Sequence, residues 1–144
     1  MNLIKKPRPL IYLAGGMYSG WQDRVKKRLG NKVRYYDPRT DADQNCLAKL
    51  TVADMENALA CDWMLAYFEK GNPSGLGMAA EIGLARSKGA RIFLVDEHVH
   101  IHGFLASLCT RIYVNLDAAV DKLEKELEGG SYFSWSRDEG KGDF

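Results

Sequence analysis

The chain has 144 residues, 46% hydrophobic and 27% charged, with a formal net charge of +1. That is enough for one domain with a core of its own and excludes a disordered or fibrous class. A balance so near neutral carries no electrostatic footprint for a nucleic acid polymer or an acidic membrane surface.

Cys46, Cys61 and Cys109 are odd in number and widely spaced, with no C-x-x-C pair. The pattern speaks against a disulfide framework and a structural zinc site, and fits a reducing compartment. Lys5, Lys6 and Arg8 read as a solvated lead-in. No apolar run resembles a signal peptide or reaches the ~18 residues of a membrane span, so a cytoplasmic location is expected.

In chain order, residues 9–15 form a short apolar run that ends in Gly15 and Gly16, a buried strand entering a loop. Trp21, Val25 and Leu29 are four apart, which predicts a helix over 21–29 stopped by Gly30 and Asn31. Residues 32–36 read as a second strand closed by Asp37 and Pro38, and 40–49 as polar and irregular. A helix is predicted over 51–61 and a doubly covered strand over 63–68. After a loop at 71–75 come a helix over 78–87, a strand over 91–95, a His-rich segment, a strand over 111–114 and a helix over 116–127. The alternation predicts a single α/β domain over 1–130, a Rossmann-like or flavodoxin-like parallel sheet of five strands flanked by helices. Residues 131–144 form a Gly-, Ser- and charge-rich tail whose Tyr132, Phe133 and Trp135 suggest docking at home or on a neighbouring subunit.

Ligands of such sheets bind at the carboxyl ends of the strands. Three loops there hold the candidate residues. The first, 14–21, is rich in glycine, which permits positive φ and close approach of a ligand to the backbone at Gly15; a tight strand-to-helix turn is the plainer reading. It matches neither the dinucleotide fingerprint nor the phosphate loop. The third, 71–81, sets Ser74, Gly75 and Gly77 at a helix N-terminus, where free N–H groups can receive an anion or a hydroxyl. Glu81 follows one turn later among small and apolar neighbours, as a solvent-facing carboxylate or a placed catalytic one. Asp54 and Asp62 bracket the preceding helix. Asp54 suits its positive end, and Asp62 suits a cap or turn.

Tyr12-Leu-Ala-Gly-Gly16, the D-x7-D spacing of Asp54 and Asp62, and the Gly75-Leu-Gly-Met-Ala-Ala-Glu81-Ile-Gly-Leu-Ala85 run together resemble the nucleoside 2-deoxyribosyltransferase family from Ile11 to Leu123. Its superfamily includes deoxynucleoside 5′-monophosphate N-glycosidases and hydroxymethylcytidine monophosphate hydrolases. The resemblance implies that Glu81 is the nucleophile at the anomeric carbon, oriented by Tyr12, with Asp54 holding the substrate and managing the leaving base. It puts Tyr18 against the base and gives Asp62 a structural place. The implied ligands are a nucleoside or nucleotide and a free nucleobase. It implies no cofactor and no metal, and a homo-oligomer whose sites are completed across interfaces.

Two departures stand out. Ala79 and Ala80 make the approach to Glu81 one residue longer than in the transferases, and Ser74 stands where those often carry an acidic residue. In the monophosphate-hydrolysing branch serines contact the 5′-phosphate, so Ser74 and Ser19 lean that way. Asp37, Arg39 and Gln44 lie in the loop that would face the base, either reading it by hydrogen bonds or simply solvated. His98, His100 and His102 alternate, but no carboxylate or cysteine completes a metal set, and a surface loop is the plainer reading. The resemblance leaves His102 a part across a dimer interface. Three activities compete: a glycosyl-transferring or hydrolysing enzyme, a nucleotide sensor of the same fold, and a phosphoribohydrolase, whose P-G-G-x-G-T-x-x-E run is missing.

Overall fold

The apolar run of the first strand has a hydrophobic layer to enter on each side, and its alternate side chains divide between them. The computed structural model describes residues 7–72, 74–99 and 102–129. In β1 (Leu10–Gly15), Ile11 and Leu13 face one layer while Leu10, Tyr12 and Ala14 face the other. β3 (Trp63–Phe68) and β4 (Arg91–Asp96) are the other inner strands, with β2 (Arg34–Tyr36) and β5 (Arg111–Tyr113) at the edges. The order is β2-β1-β3-β4-β5, and every pairing is parallel.

On one face lie α1 (Trp21–Leu29) and α6 (Leu116–Glu128), whose Trp21, Val25, Leu29, Val120 and Leu123 pack on Ile11, Leu65 and Phe93. On the other lie α3 (Leu47–Ala60), α4 (Leu76–Ser87) and the short α5 (Gly103–Leu108), over Tyr12, Met64, Ala66, Ile92 and Leu94. The chain winds outward from β1 to β2, then crosses back to β3. That reversal opens a crevice at the carboxyl ends of β1 and β3. Gly15 closes β1 there with φ +148°, and a Cβ on it would meet the Tyr67 carbonyl oxygen at 2.5 Å, so only glycine fits the crossing.

Several elements differ from the sequence reading. Residues 30–32 form a 3₁₀ turn, which delays β2 to Arg34. The stretch read as irregular contains α2 (Pro38–Asp41) and the first turn of α3. Pro38 sits at the start of α2, and Asp37 caps it by accepting the Arg39 N–H, so the two residues that close the strand also open a helix. α4 begins at Leu76, two residues earlier than expected. α5 occupies the segment after the histidines, and none of its residues is fully buried, which leaves little apolar pattern to betray it. The tail 131–144 and His100 lie outside the described residues.

Candidate active site

α3 and α4 run side by side over the crevice, and each turns one carboxylate into it. Leu50 and Asp54, one turn apart on α3, and Gly77, Met78 and Glu81 on α4 line an inner cavity of about 230 Å³. Gly15, Met17, Pro38, Asn72 and Ser74 complete its wall. Two tyrosines from neighbouring strands lie beside these carboxylates. Tyr12 and Tyr36 are paired in the β1–β2 register, and their ring centroids are 4.9 Å apart.

Each tyrosine is matched to one acid. Tyr36 donates its hydroxyl to Asp54 Oδ1 at 2.7 Å. Tyr12, fully buried, reaches toward Glu81, and its Oη has no protein partner in hydrogen-bond geometry. Burial first, then the Asp54 charge, pushes the Glu81 carboxyl up to about 7, with the Tyr12 hydroxyl pulling the other way. Burial and the two facing carboxylates hold the Tyr12 phenol far above its ordinary range, so it serves as a donor and never as a phenolate. Glu81 therefore titrates near neutrality, where a carboxyl can be a usable nucleophile or acid.

An outer cavity of about 580 Å³ adjoins the inner one, sharing Gly15, Met17 and Asn72 with it. Gly16, Tyr18, Ser19, Glu69 and Gly71 form the rest of its lining. The Tyr18 ring is wholly exposed on the rim. Ser19 Oγ donates to Glu69 Oε1 at 2.8 Å, and Ser74 Oγ accepts from the Leu76 N–H at 3.4 Å at the start of α4.

Of the residues singled out in the sequence, Glu81, Asp54, Gly15, Ser74 and Gly77 meet in the inner cavity, with Tyr12 next to Glu81, while Tyr18 and Ser19 line the outer one. Asp37 and Arg39 line neither. The Asp37 carboxylate is fully buried, where it accepts from Lys26 Nζ and Arg39 Nη2, each at 2.8 Å, and Arg39 also reaches Asp23 at 2.9 Å. Burial opposes the Asp37 charge, but Arg39 and Lys26 outweigh it and hold the carboxyl below its usual range. This is a clamp between α1 and the end of β2, not a reader of a base. Gln44 Nε2 likewise bonds the Pro38 carbonyl. Gly75 faces the opposite side of α4, against Phe68 and Met78. Asp62 accepts the Leu10 N–H at 2.8 Å at the far edge of the sheet, a structural place.

The histidines part company. The His98 ring stacks on Phe68 with centroids 4.0 Å apart and its Nε2 meets the Glu69 carbonyl, whereas His102 precedes α5. Among the described residues no group of three or more His, Cys, Asp or Glu could hold a metal ion, and no helix is long and apolar enough to cross a membrane.

Sequence reasoning missed Tyr36, Glu69 and Asn72. Tyr36 is the last residue of a strand at the ligand edge, Glu69 follows directly on another and Asn72 comes three residues after it. Position at a strand's carboxyl end was the available signal. Tyr36 reads as the end of the second strand, and the other two lie in or beside the loop after the third.

No protein-family model matches the chain, and no curated protein matches it. Solved structures do. A 2-deoxyribosyltransferase from Bacillus psychrosaccharolyticus superimposes with a TM-score of 0.61 over 80% of this chain and 90% of its own, at 16% identity. A CMP N-glycosidase of Clostridium botulinum does so with a TM-score of 0.55 over 80% of this chain and 98% of its own, at 20% identity. The chain has the fold of these enzymes. The five-stranded all-parallel sheet expected from the alternation of elements is the sheet observed.

Proposed function

We propose that the protein is an enzyme that cleaves the N-glycosidic bond of a (deoxy)nucleoside or its 5′-monophosphate, with Glu81 as nucleophile, and passes the sugar to another base or to water. The observation that carries this reading is the inner cavity, where Glu81, its carboxyl pushed up to about 7, faces Asp54 with the buried Tyr12 hydroxyl beside it. The fold shared with a 2-deoxyribosyltransferase and a CMP N-glycosidase supports it.

In the first step a Glu81 carboxylate oxygen attacks the anomeric carbon through an oxocarbenium-like state. The bond to the base nitrogen breaks, and the base leaves with the electron pair and takes up a proton, which Asp54 relays. The Tyr12 hydroxyl donates to the Glu81 carboxylate and fixes which oxygen faces the sugar. In the second step a new base nitrogen, or water, attacks the same carbon from the vacated side. The ester to Glu81 breaks, the carboxylate returns, and the attacking group sheds its proton toward Asp54. Two displacements retain the configuration.

Tyr18, Ser74, Gly15 and Gly77 serve the substrate in this reading. A homo-oligomer in the cytoplasm is proposed with it: Leu47 and Met55 on α3, Leu76 on α4 and Phe104 on α5 expose apolar side chains that a second copy would cover. Light scattering on the purified chain tests that part.

The test of the reaction is incubation with nucleosides and their 5′-monophosphates, with and without a second free base, followed by chromatography beside Glu81→Ala. Base-exchanged product that vanishes in the variant makes the protein a transferase, and free base alone makes it a hydrolase. Ligand bound and recovered intact by the wild type makes it a sensor and defeats the reading.

A further inference from the structure

α1 opens with two side chains that fold back on the connection leading into it. Trp21 Nε1 and Gln22 Nε2 both donate to the Gly16 carbonyl, at 3.0 and 2.9 Å. Trp21 belongs to the apolar core beside Val25 and Leu29, and burial alone accounts for it. Gln22 is as fully buried as they are, in a place where an apolar side chain would cost less than an amide.

The amide fixes the plane of the peptide between Gly16 and Met17. In a trans peptide the carbonyl and the N–H of the next residue point in opposite directions, and the described residues contain no cis bond. With the Gly16 carbonyl held toward α1, the Met17 N–H is turned away from it. α1 packs on one face of the sheet, whereas α3 and α4, which carry Asp54 and Glu81, pack on the other. The Met17 N–H therefore faces the side of the two carboxylates, and Met17 lines both the inner and the outer cavity. Among the described residues this N–H has no hydrogen-bond partner. Glycine leaves both of its own dihedrals loose, so a single bond from the indole does not hold the plane by itself.

We propose that Gln22 is a positioning residue of the site: with Trp21 it holds this peptide so that the Met17 N–H stands as a fixed donor for an acceptor oxygen of the ligand. The inference rests on the N-glycosidic reading of the crevice. A donor set in advance spares the ligand the ordering of the loop when it binds. It serves the bound ligand and the transition state alike, so its loss is felt in KM rather than in kcat. The groups on α3 and α4 that act on the bond are left as they are.

The experiment is Gln22→Met, which keeps the length of the side chain and removes the donor, with Gln22→Leu beside it should the first fold poorly. KM and kcat are measured separately for the 2′-deoxynucleosides of the four common bases and for their 5′-monophosphates. Binding of the same compounds is followed by calorimetry in the Glu81→Gln background. KM should rise about tenfold with kcat within about twofold of the wild type, and the calorimetric affinity should fall by the same factor. The Gly16 carbonyl keeps its bond from Trp21, so the circular dichroism spectrum and melting temperature should stay near those of the wild type. An unchanged KM overturns the inference whatever the melting temperature does, and so does a loss confined to kcat. If nothing is cleaved while Gln22→Met still weakens binding to Glu81→Gln, the N-glycosidic reading fails and the positioning role stands. If no compound binds, both fall.

Discussion

Tyr36 gives its hydroxyl to Asp54 at 2.7 Å, while Tyr12, its ring tilted against that of Tyr36 with centroids 4.9 Å apart, turns its own toward Glu81. Two adjacent rings of the same chemistry thus serve different acids. Tyr36 is engaged in holding a side chain, and Tyr12 is available to a carboxylate whose charge changes during a reaction. The difference can be tested one hydroxyl at a time.

Glu81→Gln removes the attacking oxygen and is expected to lower turnover by at least about 10³-fold with the circular dichroism spectrum unchanged. Its effect on stability has a definite sign. The folded Glu81 carboxyl titrates at about 7, above its unfolded value, so the folded state holds the proton more tightly and stability falls as pH rises through that window. Glu81→Gln should therefore raise the melting temperature by about 5 °C at pH 8 and scarcely at all at pH 4. Equal gains at both pH values would show that the carboxyl is not strained by its burial.

The pH profile of turnover follows from the same group. A nucleophilic Glu81 must be ionised, so kcat/KM should rise with pH and level off above about 7 in the wild type. The Tyr12 hydroxyl favours the ionised form, and Tyr12→Phe should move that rising limb to higher pH. The same variant should cost about 10- to 100-fold in kcat. At pH 5, where Glu81 holds its proton, the melting temperature should change little. A large loss of stability would mean that the hydroxyl is a structural bond after all.

Tyr36→Phe should behave differently. It breaks a formed bond to Asp54, at a cost of about 1–2 kcal/mol in denaturant unfolding. If Asp54 serves the leaving base as proposed, the kinetic effect should fall on substrates with poor leaving bases more than on those with good ones. A uniform loss across substrates would remove Asp54 from that role.

Asp37→Asn tests the clamp. It leaves Arg39 and Lys26 facing a neutral side chain in a buried place and should cost about 3 kcal/mol. The Asp37 carboxyl is held below its unfolded value, so its contribution is present above the unfolded pKa and is lost as pH falls through the folded one. The penalty of the variant should accordingly shrink in acid, while kcat/KM of the folded fraction stays near that of the wild type.

How far the sequence revealed this depends on how much burial each segment has. α1, with Trp21, Val25 and Leu29 four apart, and β3, apolar throughout, were legible to the residue because both are buried against the sheet. α5 and the first turn of α3 lie half in solvent, and their composition carries no period to read. In the site, Glu81 and Asp54 stand out only through the family resemblance, because on their own a helix carboxylate reads as solvent-facing and an acid in a first turn as a partner of the helix dipole. Asp37 misled because a charged residue next to a proline reads as loop, when the partners that bury it, Lys26 and Arg39, come from different elements. Tyr36 acts across the α3–β2 contact, a relationship that no local window contains.

The division of labour between elements and loops has a consequence for how such a protein can change. Glu81 and Asp54 stand on helices, and Tyr12 and Tyr36 on strands, all fixed by packing against the sheet. The rest of the cavity lining, Gly16, Met17, Tyr18, Ser19, Glu69, Gly71, Asn72 and Ser74 among it, belongs to connections between those elements. Substitutions there can alter which molecule is admitted without disturbing the four side chains proposed to act on it. Descendants of one ancestral chain could then diverge in diet while inheriting the same chemistry, and overall sequence identity would fall much faster than the arrangement of these four side chains.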